Sequence, residues 1–209
     1  MASRSYSIER RRLLQSETRS RIAAAAAELH ALKGAVATSY ADIAQRAGVS
    51  LPTVYNHFPN QQALIEACTG HAAAAAPMPA FEQILAAADL PQAAELLVAG
   101  MDKVNAYYEP WLAWREQRVI PTLAQVDARA RKQLTAFLID LLSRHRVVGN
   151  PRELAAVWET LLYFDAWHSL VREHKLPRTA VRSIQLHLLL AAVGPQPVVT
   201  AHPRPRRKS

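Results

Sequence analysis

One cysteine, six glycines and four tryptophans in 209 residues leave several classes of protein without support. The lone Cys68 cannot close an intramolecular disulfide, so the chain is not a stapled secreted scaffold and a reducing cytoplasm suits it. The eight histidines (30, 57, 71, 145, 168, 174, 187 and 202) lack both i,i+4 pairing and cysteine company, so no metal site is expected. A glycine-rich phosphate loop is missing, and no cofactor is implied. Asp165, His168 and Ser169 share a helical segment, but Ser169 is displaced from the other two, so they form no triad and the chain reads as a non-enzyme. Long apolar runs are missing as well. The stretch from Ile184 to Val193 is interrupted by Gln185 and His187 and is too short for a bilayer. The first twenty residues are polar and arginine-rich, unlike a secretory signal. A soluble, intracellular protein without a membrane partner is expected.

What is present favours folded helices. Half of the chain is apolar, enough for a real core at this length. Prolines at 52, 59, 77, 79, 91, 110, 121, 151, 177 and 195 leave intervals that can each hold a helix. The spacing predicts helices over 16–33, from Asn60 toward Pro77, and near 80–88, 92–108, 110–119, 122–146, 151–174 and 177–193, besides the pair described next. No segment sustains the alternation of a strand, so the class is all-α with about nine or ten helices. The net charge of +8 is uneven: residues 1–71 hold eight Lys/Arg against five Asp/Glu, and residues 200–209 add four with no acid. A polyanion binder distributes charge in this way.

Residues 39–60 carry the most information. Ser39 is an N-cap with Asp42 placed to complete a capping box. Ile43, Ala44 and Ala47 repeat at helical spacing, and Gly48 can take the positive φ that ends a helix. Ser50 caps a second helix, whose first turn tolerates Pro52. Val54 and Phe58 share its inward face. Thr53, Tyr55, Asn56 and His57 lie around the rest, where they suit phosphates or base edges. This is a helix-turn-helix. Ser50, Thr53, Tyr55 and His57 are the expected phosphate positioners, with Ser39 counted alongside them. Leu51 and Pro52 suit thymine methyls, and Asn56 suits a hydrogen bond to a base.

The run Ala41-Asp42-Ile43-Ala44, then Ala47-Gly48-Val49-Ser50, then Thr53-Val54-Tyr55-Asn56-His57-Phe58 resembles the DNA-binding signature of TetR-type transcriptional repressors. Lys33-Gly34 and Thr38-Ser39 fit the same pattern. Two positions depart from it. Ala35 stands where the family usually has an aromatic residue, implying a looser contact under the motif. Gln61 stands where a lysine usually opens the fourth helix, removing a phosphate contact. The resemblance implies a bacterial, nucleoid-associated regulator. Its parts would be a basic arm at 1–15, a DNA-binding domain at 16–75 with the motif at 39–58, a ligand-binding and dimerisation domain at 76–194, and a Pro/Arg-rich tail at 195–209.

Segments 151–174 and 177–193 are apolar on more than one side and must be covered from more than one direction. A single helix-turn-helix reads a short half-site, so pairing of this region with a second copy is expected, as in the TetR type. Aromatic residues cluster at Tyr107, Tyr108, Trp111, Trp114 and Phe137, and again at Trp158, Tyr163, Phe164 and Trp167. Ordinary core packing explains such residues, and a lipophilic pocket between helices explains them too. On the pocket reading Trp111, Trp114, Trp158, Asp165 and His168 line a site for an unidentified small effector, which the resemblance implies would release DNA. Two rivals stand beside this reading. One is a constitutive DNA binder with no ligand; the other is a helical ligand or protein adaptor that has lost DNA binding.

Overall fold

A computed structural model describes residues 2–194, and the tail at 195–209 lies outside the described residues. Ten α-helices follow one another among them: α1 (Ala2–Lys33), α2 (Tyr40–Ala47), α3 (Leu51–His57), α4 (Gln61–Ala74), α5 (Phe81–Leu85), α6 (Leu90–Leu112), α7 (Pro121–Arg144), α8 (Pro151–Leu162), α9 (Phe164–His168) and α10 (Arg178–Val193). A 3-10 turn stands at Glu116–Arg118 and a π-turn at Ser169–Glu173. No strand occurs among the described residues, as the missing alternation implies.

The first four helices build one core. Ile22 and the alanine run at 23–27 make a slim α1, against which Ile43, Ala44, Ala47, Val54, Phe58, Leu64 and Cys68 close. Small side chains let several helices approach α1 from different sides. Phe58 is fully buried, and such a side chain contributes about 3 kcal/mol. A larger core joins Ile84 of α5 and Leu97 of α6 to Leu138, Leu141 and Leu142 of α7, Trp158 of α8 and Leu189 of α10. A third cluster packs Phe164 and Trp167 against Val181.

Three expectations need correction. Helix α1 begins at Ala2 rather than Ser16, so residues 2–15, expected as an arm, belong to the helix. No glycine or proline precedes Gly34, and nothing there breaks the turns. Pro110 does not open a helix; it stands inside the last turn of α6, where only the end of the ladder is lost. Only the short 3-10 turn at Glu116–Arg118 follows it in the segment 110–119. The segment 151–174 is not one helix, because it breaks at Tyr163, whose ψ is 165°. Carbonyls freed by that break find buried partners: Gln185 Nε2 donates to Leu161 at 2.6 Å and Asn105 Nδ2 to Leu162 at 2.9 Å. Unsatisfied carbonyls would make such a break costly, and these two amides satisfy them.

The two cores are tied together by α6 and the turn after it. Tyr107 Oη donates to the Ala72 carbonyl at 2.7 Å, Trp111 Nε1 to Ala27 at 2.8 Å, and Trp114 Nε1 to Ala31 at 3.2 Å. Ala31 lies in the last turn of α1, where carbonyls lack helical partners, and Ala72 lies in the last turn of α4, where its carbonyl also accepts the Ala75 amide at 3.2 Å. Ala35, Ile65 and Ile120 form a small apolar cluster alongside. Ala35, where an aromatic residue was expected, is buried in this cluster.

Candidate nucleic-acid interface

Local sequence sets the geometry of α2 and α3. Ser39 Oγ accepts from the Asp42 amide at 3.1 Å, and the Asp42 carboxylate accepts from the Ser39 amide at 2.9 Å. The Lys33 ammonium, at 2.8 Å from Asp42, and the Ser39 donors hold this carboxyl well below the usual range. Gly48 ends α2 with φ at +64°. Ser50 caps α3, its Oγ 2.7 Å from Thr53 Oγ1 and accepting from the Thr53 amide at 3.3 Å. Val54 and Phe58 are buried, which turns the opposite side of α3 outward.

On that side Leu51, Pro52, Tyr55 and Asn56 are exposed, with Thr53 and His57 half-buried beside them. Ser39 is exposed at the start of α2 and Ser50 at the start of α3. Tyr55 packs on Tyr40 with ring centres 4.8 Å apart. The Tyr40 hydroxyl is buried with no hydrogen-bond partner among the described residues, and burial pushes its pKa up. Sequence reasoning missed Tyr40, although its place at the head of α2 puts it beside α3. It missed Arg19 too. Arg19 donates to the His57 carbonyl at 2.5 Å and lies 4.2 Å over the Phe58 ring. Arg19, Gln15 and Ser16 from α1 meet Thr53, Asn56 and His57 from α3 around an open cleft of about 530 Å³.

Residues 22–68 match the family model described as bacterial regulatory proteins, tetR family. The chain carries a tetR-family domain. The matched span runs from the first buried residue of α1 to Cys68 of α4, the same helices that close the N-terminal core. Beyond that domain, solved structures show the fold. A regulator from Saccharomonospora viridis, solved with choline, is 21% identical with a TM-score of 0.66, covering 83% of this chain and 96% of its own. A transcriptional regulator from Rhodococcus is 19% identical with a TM-score of 0.63, covering 86% and 99%. NalD of Pseudomonas aeruginosa, the secondary repressor of the MexAB-OprM multidrug efflux pump, is 21% identical with a TM-score of 0.60, covering 84% and 94%. Among curated protein sequences no significant match is found.

The residues expected around an effector are dispersed. Trp158 is fully buried and donates to the Leu189 carbonyl at 3.0 Å, so it borders no water-sized space. Trp111 and Trp114 donate their indole N–H groups to α1, and Trp114 is half exposed. Asp165 is exposed and pairs with Arg115 at 2.5 Å. His168 is half-buried with its ring 5.1 Å from Phe164, and its Nδ1 has no partner among the described residues. The break at Tyr163 explains the dispersal, since it rotates Asp165 and His168 off the face that carries Trp158. A groove of about 300 Å³ lies elsewhere, between Met78, Pro79 and Ile84 on one side and Leu96, Gly100 and Lys103 of α6 on the other.

No helix among the described residues is long and apolar enough to cross a membrane, and no cluster of His, Cys, Asp and Glu could hold a metal ion. Burial pushes the Cys68 thiol up to about 12, which keeps it protonated and unreactive.

Proposed function

We propose that this chain is a transcriptional repressor that binds a palindromic operator as a homodimer and lets it go when a small apolar effector occupies the helical domain. The observation that carries the reading is the outward side of α3: a capped helix, anchored by buried Val54, that presents Leu51, Pro52, Thr53, Tyr55, Asn56 and His57. Ser39, Ser50, Thr53, Tyr55 and His57 position the duplex through phosphates. Leu51 and Pro52 meet thymine methyls, and Asn56 reads a base edge. Gln61, exposed at the head of α4, supplies no cation there.

Pairing uses α8 and α10, where Val157, Ile184 and Leu188 are apolar and 45%, 37% and 42% exposed. Choline in the S. viridis protein and the repressor role of NalD support the regulatory reading. For the effector, the α6 groove replaces the dispersed aromatic set. Helix α6 runs from that groove through Tyr107 and Trp111, which grip α4 and α1, so a ligand there acts on the DNA-binding helices directly. Moving the population from mostly competent to mostly incompetent takes about 5.5 kcal/mol of differential affinity.

Selection of duplexes from random-sequence and genomic DNA with the purified protein tests this. A palindrome should be enriched. Tyr55→Ala should weaken binding to every sequence, and Asn56→Ala should relax one position by roughly 1–3 kcal/mol. Failure to enrich any palindrome refutes the reading.

A further inference from the structure

Helix α1 reaches well past the domain it helps to build. Ile22 is its first fully buried residue, and from Ile8 to Arg21 every side chain is exposed except the half-buried Thr18. The C-terminal part of α1 is held by Trp111 and Trp114, whereas Arg19 binds the end of α3. Its free end therefore projects on the recognition-helix side, away from the C-terminal helices.

The side facing α3 has a definite chemistry. Arg12, Gln15, Ser16 and Arg19 follow i, i+3, i+4, i+7 spacing and share one stripe. The last three line the cleft with Thr53, Asn56 and His57. Two amides, two hydroxyls, an imidazole and a guanidinium make this lining, with no carboxylate among them. Arg10, Arg11 and Arg12 are exposed and form no ion pair among the described residues. A free-standing helix of this length is marginal in water unless another surface orders it.

We propose that the α1–α3 cleft seats a backbone phosphate of the duplex flanking the major-groove contact, and that Arg12 binds the same strand further out. This rests on the reading that α3 enters DNA. Arg12 and Arg19 are separated by about 10 Å along the helix, the rise of roughly three base steps, so one stripe spans neighbouring phosphates. The contacts carry no base information; they add affinity and fix orientation.

Fluorescence anisotropy with the selected operator and with a random duplex, between 50 and 200 mM salt, tests the proposal on the full chain. Arg12→Gln should lower the slope of log K against log salt by about 0.9 for each bound protomer, on both duplexes. For each protomer, the affinity defect at 50 mM should then shrink roughly 3.5-fold at 200 mM. Ser16→Glu places a carboxylate in the cleft and should weaken both duplexes more strongly. Base preference, circular dichroism and sedimentation should stay as in the parent. Unchanged slopes in both variants overturn the cleft while leaving operator binding by α3 intact, and so does a changed base preference. A sedimentation change in Arg12→Gln assigns the extension to self-association instead and overturns the proposal too. If the parent protein binds neither duplex, cleft and recognition helix fall together.

Discussion

Glu116 is the residue whose removal the structure makes most informative. Its Oε2 accepts the Ala35 amide at 2.6 Å and its Oε1 the Val36 amide at 2.8 Å, so one carboxylate clasps the turn between α1 and α2. The approach depends on Gly34, whose φ is +80° and where a Cβ would meet Glu116 Oε1 at 2.5 Å. Arg115, held at φ +55°, sets the turn that aims Glu116, and its pairing with Asp165 offsets the cost of that conformation. Glu116→Gln keeps the shape but turns an amide donor toward a backbone donor. Hydrogen bonds to charged groups contribute about 1.5–3 kcal/mol each, so losing one of two should cost about 2 kcal/mol. At roughly 2–4 °C per kcal/mol for a chain of this size, calorimetry at neutral pH should show a Tm lower by about 4–8 °C. Gly34→Ala should cost more than its backbone strain in the parent, because it also collides with the carboxylate. In a Glu116→Ala background that collision is gone, so the two substitutions should be non-additive by more than about 0.5 kcal/mol. A Tm within 1 °C of the parent for Glu116→Gln, or strict additivity in the cycle, would refute the clasp.

Further outcomes follow from other sites. Leu188→Asp should shift the chain to monomers in sedimentation and weaken operator binding; a stable dimer would place the contact elsewhere. Burial alone pushes Asp102 up, but two hydrogen bonds from Arg178, at 2.8 and 3.0 Å, and one from Trp167, at 2.8 Å, outweigh it and leave the carboxyl below its usual range. Arg172 likewise lowers Glu109. Depressed folded pKa values mean stability that is present above the unfolded value near 4 and lost as pH falls through the folded one. Melting temperatures should therefore drop below about pH 4, and Asp102→Asn should flatten that drop; an identical acid profile in the variant would refute the role of the pair.

The helix-turn-helix could be read from sequence because its signals are local. Ser39 with Asp42, Gly48, and Ser50 with Thr53 act within four residues, and capping physics gives each one a single outcome. Val54 and Phe58 announce the buried side of α3 by spacing alone, and the exposed residues follow by subtraction. The C-terminal half obeyed a different rule. Nothing local marks Tyr163 as a break, since the peptide there can open only because Asn105 and Gln185, distant in sequence, take the freed carbonyls. The tryptophans look alike in sequence, yet Trp158 ended in the core while Trp111 and Trp114 became ties to α1, because α6 happens to run alongside it. Composition and periodicity determined an all-helical chain and the side of α3 that faces outward. Tertiary packing alone decided where the long helices bend, which aromatics are used up in holding the two halves together, and that α1 lies close enough to α3 to share a cleft with it. Those outcomes depend on contacts between residues far apart along the chain, and such contacts leave no periodic trace in the sequence.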